Sequence, residues 1–137
     1  MALGAGEVTM LELADAYTQL SRQGERVAIN PILEIRSSDG SILYEKEVVT
    51  EESVITPGAA SLIREILSNT ANMPSNWVNM FSVRGLKLAA KSGTSDVKTP
   101  NGARPRDGWL ATYTPSKVAI FWVGNTDGAP MNRNAFG

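Results

Sequence analysis

The sequence predicts an α+β fold in which an antiparallel sheet is packed with helices. Three observations carry that expectation. Two segments space their apolar residues for one face of a helix, and several short runs read as strands. Short turns, one of them Asp39-Gly40, join neighbouring strands as hairpins. No internal repeat interrupts the pattern, and 137 residues suit a single unit able to bury a core.

In chain order, Thr9-Met-Leu-Glu12 forms a capping box, with the Thr9 hydroxyl accepting from a first-turn N–H and Glu12 reaching back. Met10, Leu13, Ala14, Tyr17 and Leu20 then follow helical spacing, and Gly24 is a natural stop, which predicts a helix over 10–23. Residues 32–36 and 42–48 read as two strands around the turn Ser37–Ser41. The acidic residues Glu45, Glu47, Glu51 and Glu52 read as a solvated face rather than a cation site. Thr56 caps a second helix, Pro57 suits its first position, and Ala59, Leu62, Ile63, Ile66 and Leu67 share one face. That helix should end near Asn69–Asn72. Residues 74–85 have no clean period and predict a loop with Trp77, Met80 and Phe81 tucked onto the core. A strand is expected over 86–92. The stretch 95–108 holds two prolines and two glycines, and residues 96–107 predict a mobile surface loop. Strands are expected over 109–113 and 118–124, the second so uniformly apolar that it should be covered on both faces.

Composition removes several kinds of chemistry. The net charge is −1 and no Lys/Arg run stands out, which argues against a nucleic-acid partner. No apolar run approaches the roughly 20 residues that span a bilayer, and no signal peptide opens the chain. There is no cysteine, so no disulfide, thiolate metal site or cysteine nucleophile is available. There is no histidine either, which removes the usual general base. No cofactor or metal is implied. Any acyl transfer here must move its proton with lysine or a carboxylate.

The stretch Leu88-Ala-Ala-Lys-Ser-Gly-Thr-Ser95 fits that requirement. On a strand, Ser92 and Thr94 lie on one face as two hydroxyl donors, while Gly93 lets a ligand approach the backbone. Lys91 adds positive charge, and a backbone N–H at this edge could serve an oxyanion hole. Taken alone, these residues also fit an ordinary strand end.

The wider sequence resembles the C-terminal part of the transpeptidase domain of class A, bifunctional penicillin-binding proteins. Lys91-Ser92-Gly93 resembles that superfamily's K-[TS]-G strand motif. Residues 3–24 resemble the family's L-G-x-x-E-V-T-x-L-E-x-A-x-A-Y segment, and residues 30–45 its hairpin with a D-G turn. Residues 107–131 resemble D-x-W-x-x-G-Y-T-P followed by V-W-V-G-N. The landmarks occur in family order along nearly the whole chain. Ser92 replaces the more frequent threonine but keeps the hydroxyl.

The resemblance implies a partial penicillin-binding/β-lactamase-like fold and a peptidoglycan D,D-transpeptidase with an acyl-serine intermediate. It assigns Lys91 to charge and proton relay, Ser92 and Thr94 to the substrate's terminal carboxylate, and the Thr94 N–H to half of the oxyanion hole. Gly93 gives that substrate room. The implied partners are stem peptides ending in D-Ala-D-Ala, with β-lactams as their mimics. The implied setting is a bacterial cell envelope, with the parent membrane-anchored and this domain extracytoplasmic.

Two companion motifs are missing. No serine is followed two residues later by asparagine, so S-x-N is absent. The one S-x-x-K match, Ser95-Asp-Val-Lys98, directly follows the lysine strand, whereas the nucleophile should open a helix. Residues 1–137 are therefore expected to be a single unit, the C-terminal portion of a transpeptidase domain. Its nucleophile lies elsewhere, so it is inactive alone and prone to self-association through exposed sheet edges. Trp109 is expected to pack in the core rather than touch substrate, and Lys98, Arg104 and Arg106 to sit in the solvated loop. The rival readings are a non-catalytic binding module of the same partial fold and a fragment of a serine β-lactamase-like hydrolase.

Overall fold

The structure is a computed structural model that describes residues 6–133 and 135. Helix α1 spans Met10–Ser21, and both halves of its capping box form, with Thr9 accepting from the Glu12 N–H and Glu12 accepting from the Thr9 N–H. The hydrogen bonds from Thr9 hold the Glu12 carboxyl below its ordinary range. The chain leaves α1 through Gln23 and Gly24, both at positive φ.

Strand β1 (Arg26–Val27) pairs antiparallel with β4 (Thr50–Glu51), enclosing the hairpin of β2 (Glu34–Arg36) and β3 (Ile42–Glu45). That hairpin turns at Ser37–Ser41, with Gly40 at a φ of 89°. Arg26 binds both Asp15 of α1 and Glu51 of β4, at 3.2 and 2.8 Å, and so ties the small sheet to the helix.

Helix α2 spans Pro57–Ser68 behind its Thr56 cap, and a 3-10 turn follows at Thr70–Asn72. A third helix, α3, covers Ser75–Phe81, where a loop was expected. Trp77 and Phe81 stand one turn apart with ring centroids 5.8 Å from each other, as neighbours on one helix face do. Both are half-buried, but Met80 faces outward and does not join the core.

The main sheet has the order β5-β6-β7 and is antiparallel throughout. Its strands are β5 (Ala89–Thr99), β6 (Gly102–Tyr113) and β7 (Val118–Gly124). The mobile loop expected over 96–107 is instead the far half of a long hairpin. Thr99 pairs with Gly102 across Pro100-Asn101, and Gly102 takes the positive φ the turn requires. Pro105 is tolerated in β6 because it pairs with Asp96 where the register shifts, between Ser95 and Asp96.

Helices α1 and α2 pack against this sheet and each other. The core is compact and small: Ala60, Ala89, Ala111 and Tyr113 are its fully buried apolar residues among those described. Tyr113 anchors it, meeting the edge of Tyr17 at 5.8 Å, and burial pushes both phenols above their ordinary range. Strand β7 is covered on one face, not two. Val118, Ile120 and Trp122 are half-buried, while Phe121 and Val123 are more than half exposed. An apolar run therefore overstated the cover. On α2, Leu62, Ile63 and Ile66 are also exposed.

Candidate active site

Strand β5 is an edge strand, with β6 as its neighbour on one side. Its register sets Lys91 opposite Ala111, Gly93 opposite Trp109 and Ser95 opposite Asp107. Ser92 and Thr94 alternate with these and face the other way, opposite Leu110 and Gly108. All four residues singled out in the sequence, Lys91, Ser92, Gly93 and Thr94, line one open groove of about 780 Å³. Trp109 and Ala111 form part of its wall, and Glu7, Val8, Leu13 and Tyr17 close it from the N-terminal side.

The exposed Lys91 ammonium donates to the Ser92 carbonyl, and no ion pair engages it among the described residues. A cation so placed attracts an anionic group entering the groove. Arg106 is a second cation on the lining. An added Cβ at Gly93 would meet Trp109 Cβ at 3.6 Å, an ordinary contact. The fold therefore tolerates a side chain there, and what the glycine keeps open is space in the groove. No cluster of three metal-ligating side chains occurs among the described residues.

Trp109 is half-buried against Trp122, with centroids 6.4 Å apart, and it also borders the groove. Ser95 and Lys98 lie along a strand on either side of the register shift, not one turn apart on a helix. The Ser95 hydroxyl donates to Asp107, across the strand pair. Of the loop cations, Arg104 donates to the Met131 carbonyl at 2.6 Å, and Arg106 binds Asp107.

Asp107 is the residue that sequence reasoning passed over. Its Oδ2 accepts from Ser95 and from Arg106 Nε at 3.0 Å, and its Oδ1 accepts from Trp122 Nε1 at 3.1 Å. The Ser95 hydrogen bond, helped by Arg106 and Trp122, holds its carboxyl below the ordinary range against the opposing effect of burial. Its signal was present in the D-x-W spacing, which sets the acid and Trp109 on the same face of β6.

The profile of the penicillin binding protein transpeptidase domain matches residues 1–135. The chain belongs to that family. Penicillin-binding protein 1A of Neisseria cinerea is 29% identical over 143 aligned positions, which cover all of this chain and 17% of that protein. Its counterpart from Mycolicibacterium smegmatis is 26% identical over 140, again covering 17% of its length. The chain thus spans about one-sixth of the curated relatives it matches. Among solved structures, Mycobacterium tuberculosis PonA1 in complex with penicillin V superposes with a TM-score of 0.67 at 24% identity, covering 94% of this chain and 33% of that one. PBPA from the same organism gives 0.67 at 19%, covering 93% and 29%. These likenesses confirm the mixed fold of antiparallel sheets and helices. The family is one of bacterial cell-wall transpeptidases, and no described helix is long and apolar enough to cross a membrane.

Proposed function

We propose that this chain is one wall of the transpeptidase site of a class A penicillin-binding protein, the C-terminal portion of its catalytic domain. The observation that carries the reading is the Lys91–Thr94 strand, at a sheet edge and lining a groove, in a chain of this family. The nucleophilic serine and the S-x-N motif belong to another part of the domain, since these 137 residues hold no S-x-N and no helix-borne S-x-x-K.

In this account the serine hydroxyl, its proton taken up by the lysine relay, attacks the penultimate D-Ala carbonyl of a stem peptide. The C–N bond breaks, the terminal D-Ala leaves as an amine, and an acyl-serine remains. An amine of a neighbouring strand attacks that ester, forming the cross-link and returning the serine. The Lys91 charge favours the anionic substrate and the relay. The Ser92 and Thr94 hydroxyls hold the terminal carboxylate, and the Thr94 N–H and the serine's own N–H stabilise the oxyanion. β-Lactams enter as mimics and stay on the serine; PonA1, which shares this fold, has been solved in complex with penicillin V. The whole protein works in the bacterial envelope, membrane-anchored, with this domain outside the cytoplasm.

The isolated chain is inactive, and its uncovered apolar faces make it self-associate. The test is Lys91→Ala in the full-length protein. It should cut the rate of acylation by a labelled penicillin by at least about 100-fold while leaving the protein folded. Unchanged acylation would remove Lys91 from the site.

A further inference from the structure

Ser95, Asp107 and Gly124 form one row across the three strands of the main sheet. Side chains reinforce that row from both directions, because Asp107 accepts from Ser95 of β5 and, at 3.1 Å, from the Trp122 indole of β7. The indole can reach it because residue 124 is glycine. A Cβ there would lie 2.6 Å from the Trp122 ring and 3.0 Å from the Arg106 carbonyl, so any side chain would push the ring away.

The position of this row matters. Ser95 follows Thr94 directly and is the last residue of β5 in regular register before the shift at Asp96. The extra residue of that shift is Arg106 on β6, and such a bulge locally disrupts the ladder that holds β5 to its neighbour. β5 is an edge strand, with no outer neighbour among the described residues to correct its course. The aim of the Gly93–Thr94 backbone therefore depends on how firmly Ser95 is held.

We infer that Asp107 is a positioning residue of this site: by joining Ser95 to the Trp122 indole across the sheet, it fixes the strand that carries Lys91–Thr94. Asp107 is not a catalytic residue, because its acceptors are engaged within the sheet and it acts through Ser95. The inference rests on the transpeptidase reading for its effect on rate, but the anchoring itself can be measured separately.

The experiment uses the full-length protein and its variants Asp107→Ala, Asp107→Asn, Ser95→Ala, Gly124→Ala and Ser95→Ala/Asp107→Ala. Acylation by a fluorescent penicillin is resolved into the rate at saturation and the half-saturating concentration. Amide exchange at Thr94 and Ser95 is followed in the same samples. The expected result is a saturated rate lowered on the order of tenfold in Asp107→Ala and Ser95→Ala, because a small misplacement of the oxyanion donor is costly. Half-saturation should move less. The double variant should be no slower than Asp107→Ala, since both remove one connection. Asp107→Asn, which keeps an acceptor, should recover part of the rate, and Gly124→Ala should resemble Asp107→Ala. In each slowed variant the Thr94 and Ser95 amides should exchange faster.

Wild-type acylation by the folded fraction of Asp107→Ala, with unchanged exchange, would overturn the inference and reduce Asp107 to a stabilising contact. Additive losses in the double variant would also overturn it. If the wild-type protein is not acylated at all, the transpeptidase reading fails instead. Amide exchange then decides the anchoring: faster exchange in Asp107→Ala upholds it, and unchanged exchange rejects it.

Discussion

At the scale of single residues, the groove combines positions the sequence announces with one it conceals. Lys91, Ser92, Gly93 and Thr94 were legible because their types and order are unusual together, and a strand places them without help from distant parts of the chain. Gly93 offers a clean test. Since a Cβ would make only ordinary contact with Trp109, Gly93→Ala should melt within about 1 °C of the parent. In the full-length protein, penicillin acylation should nevertheless fall by about tenfold or more, because the methyl occupies space the ligand needs. A lower melting temperature with normal acylation would reverse that assignment. Asp107 was harder to read, because its importance comes from three donors that converge only after the strands pair. Its carboxyl is held below the ordinary range, so the folded state binds fewer protons there than the unfolded chain. The stability it contributes is present above the unfolded value near 3.8 and is lost as pH falls through the lower folded value. Denaturation of wild type and Asp107→Asn across pH should show a gap that is full at pH 6 and closes on acidification. A gap independent of pH would contradict this.

At the scale of elements, the reliable signals were local. The Thr9–Glu12 box and the Thr56-Pro57 start each determine a helix end through neighbouring atoms, and both form as expected. Thr56→Ala should therefore cost about 1 kcal/mol in a chemical melt, and no loss would mean that the Thr56 hydroxyl contributes nothing. Gly24 is more demanding. A Cβ there would fall 2.1 Å from the Ile55 carbonyl oxygen, at a φ of 96°. Gly24→Ala should destabilise by roughly 2–3 kcal/mol, and a neutral result would show that residues 53–55 do not pass so close. The misread elements share a cause. The 96–107 segment looked like a loop because Pro100, Gly102 and Pro105 lower strand propensity, but pairing with a long partner strand overrides propensity. Helix α3 was missed because seven residues give too short a window for a period, although Trp77 and Phe81 already had the spacing.

At the scale of the whole molecule, the balance of covered and uncovered surface is the main feature. Antiparallel sheet and helices are built as the sequence implied, yet Leu62, Ile63 and Ile66 on α2 and Phe121 and Val123 on β7 remain in solvent. A sequence shows which residues are apolar, but not how much protein is present to cover them. That is why β7 read as doubly buried. The isolated chain should accordingly form dimers or larger species, with its mean mass by light scattering rising with concentration. A constant monomer mass at high concentration would show that these faces tolerate water. The central claim is that this chain is one wall of a serine transpeptidase site whose nucleophile lies elsewhere. The most direct measurement is intact and peptide-level mass spectrometry after exposure to benzylpenicillin, on the full-length protein and on the 137-residue chain. A single adduct is expected on the full-length protein, on a serine outside these residues, and none on the isolated chain. An adduct on Ser95, or none on the full-length protein, would contradict the claim.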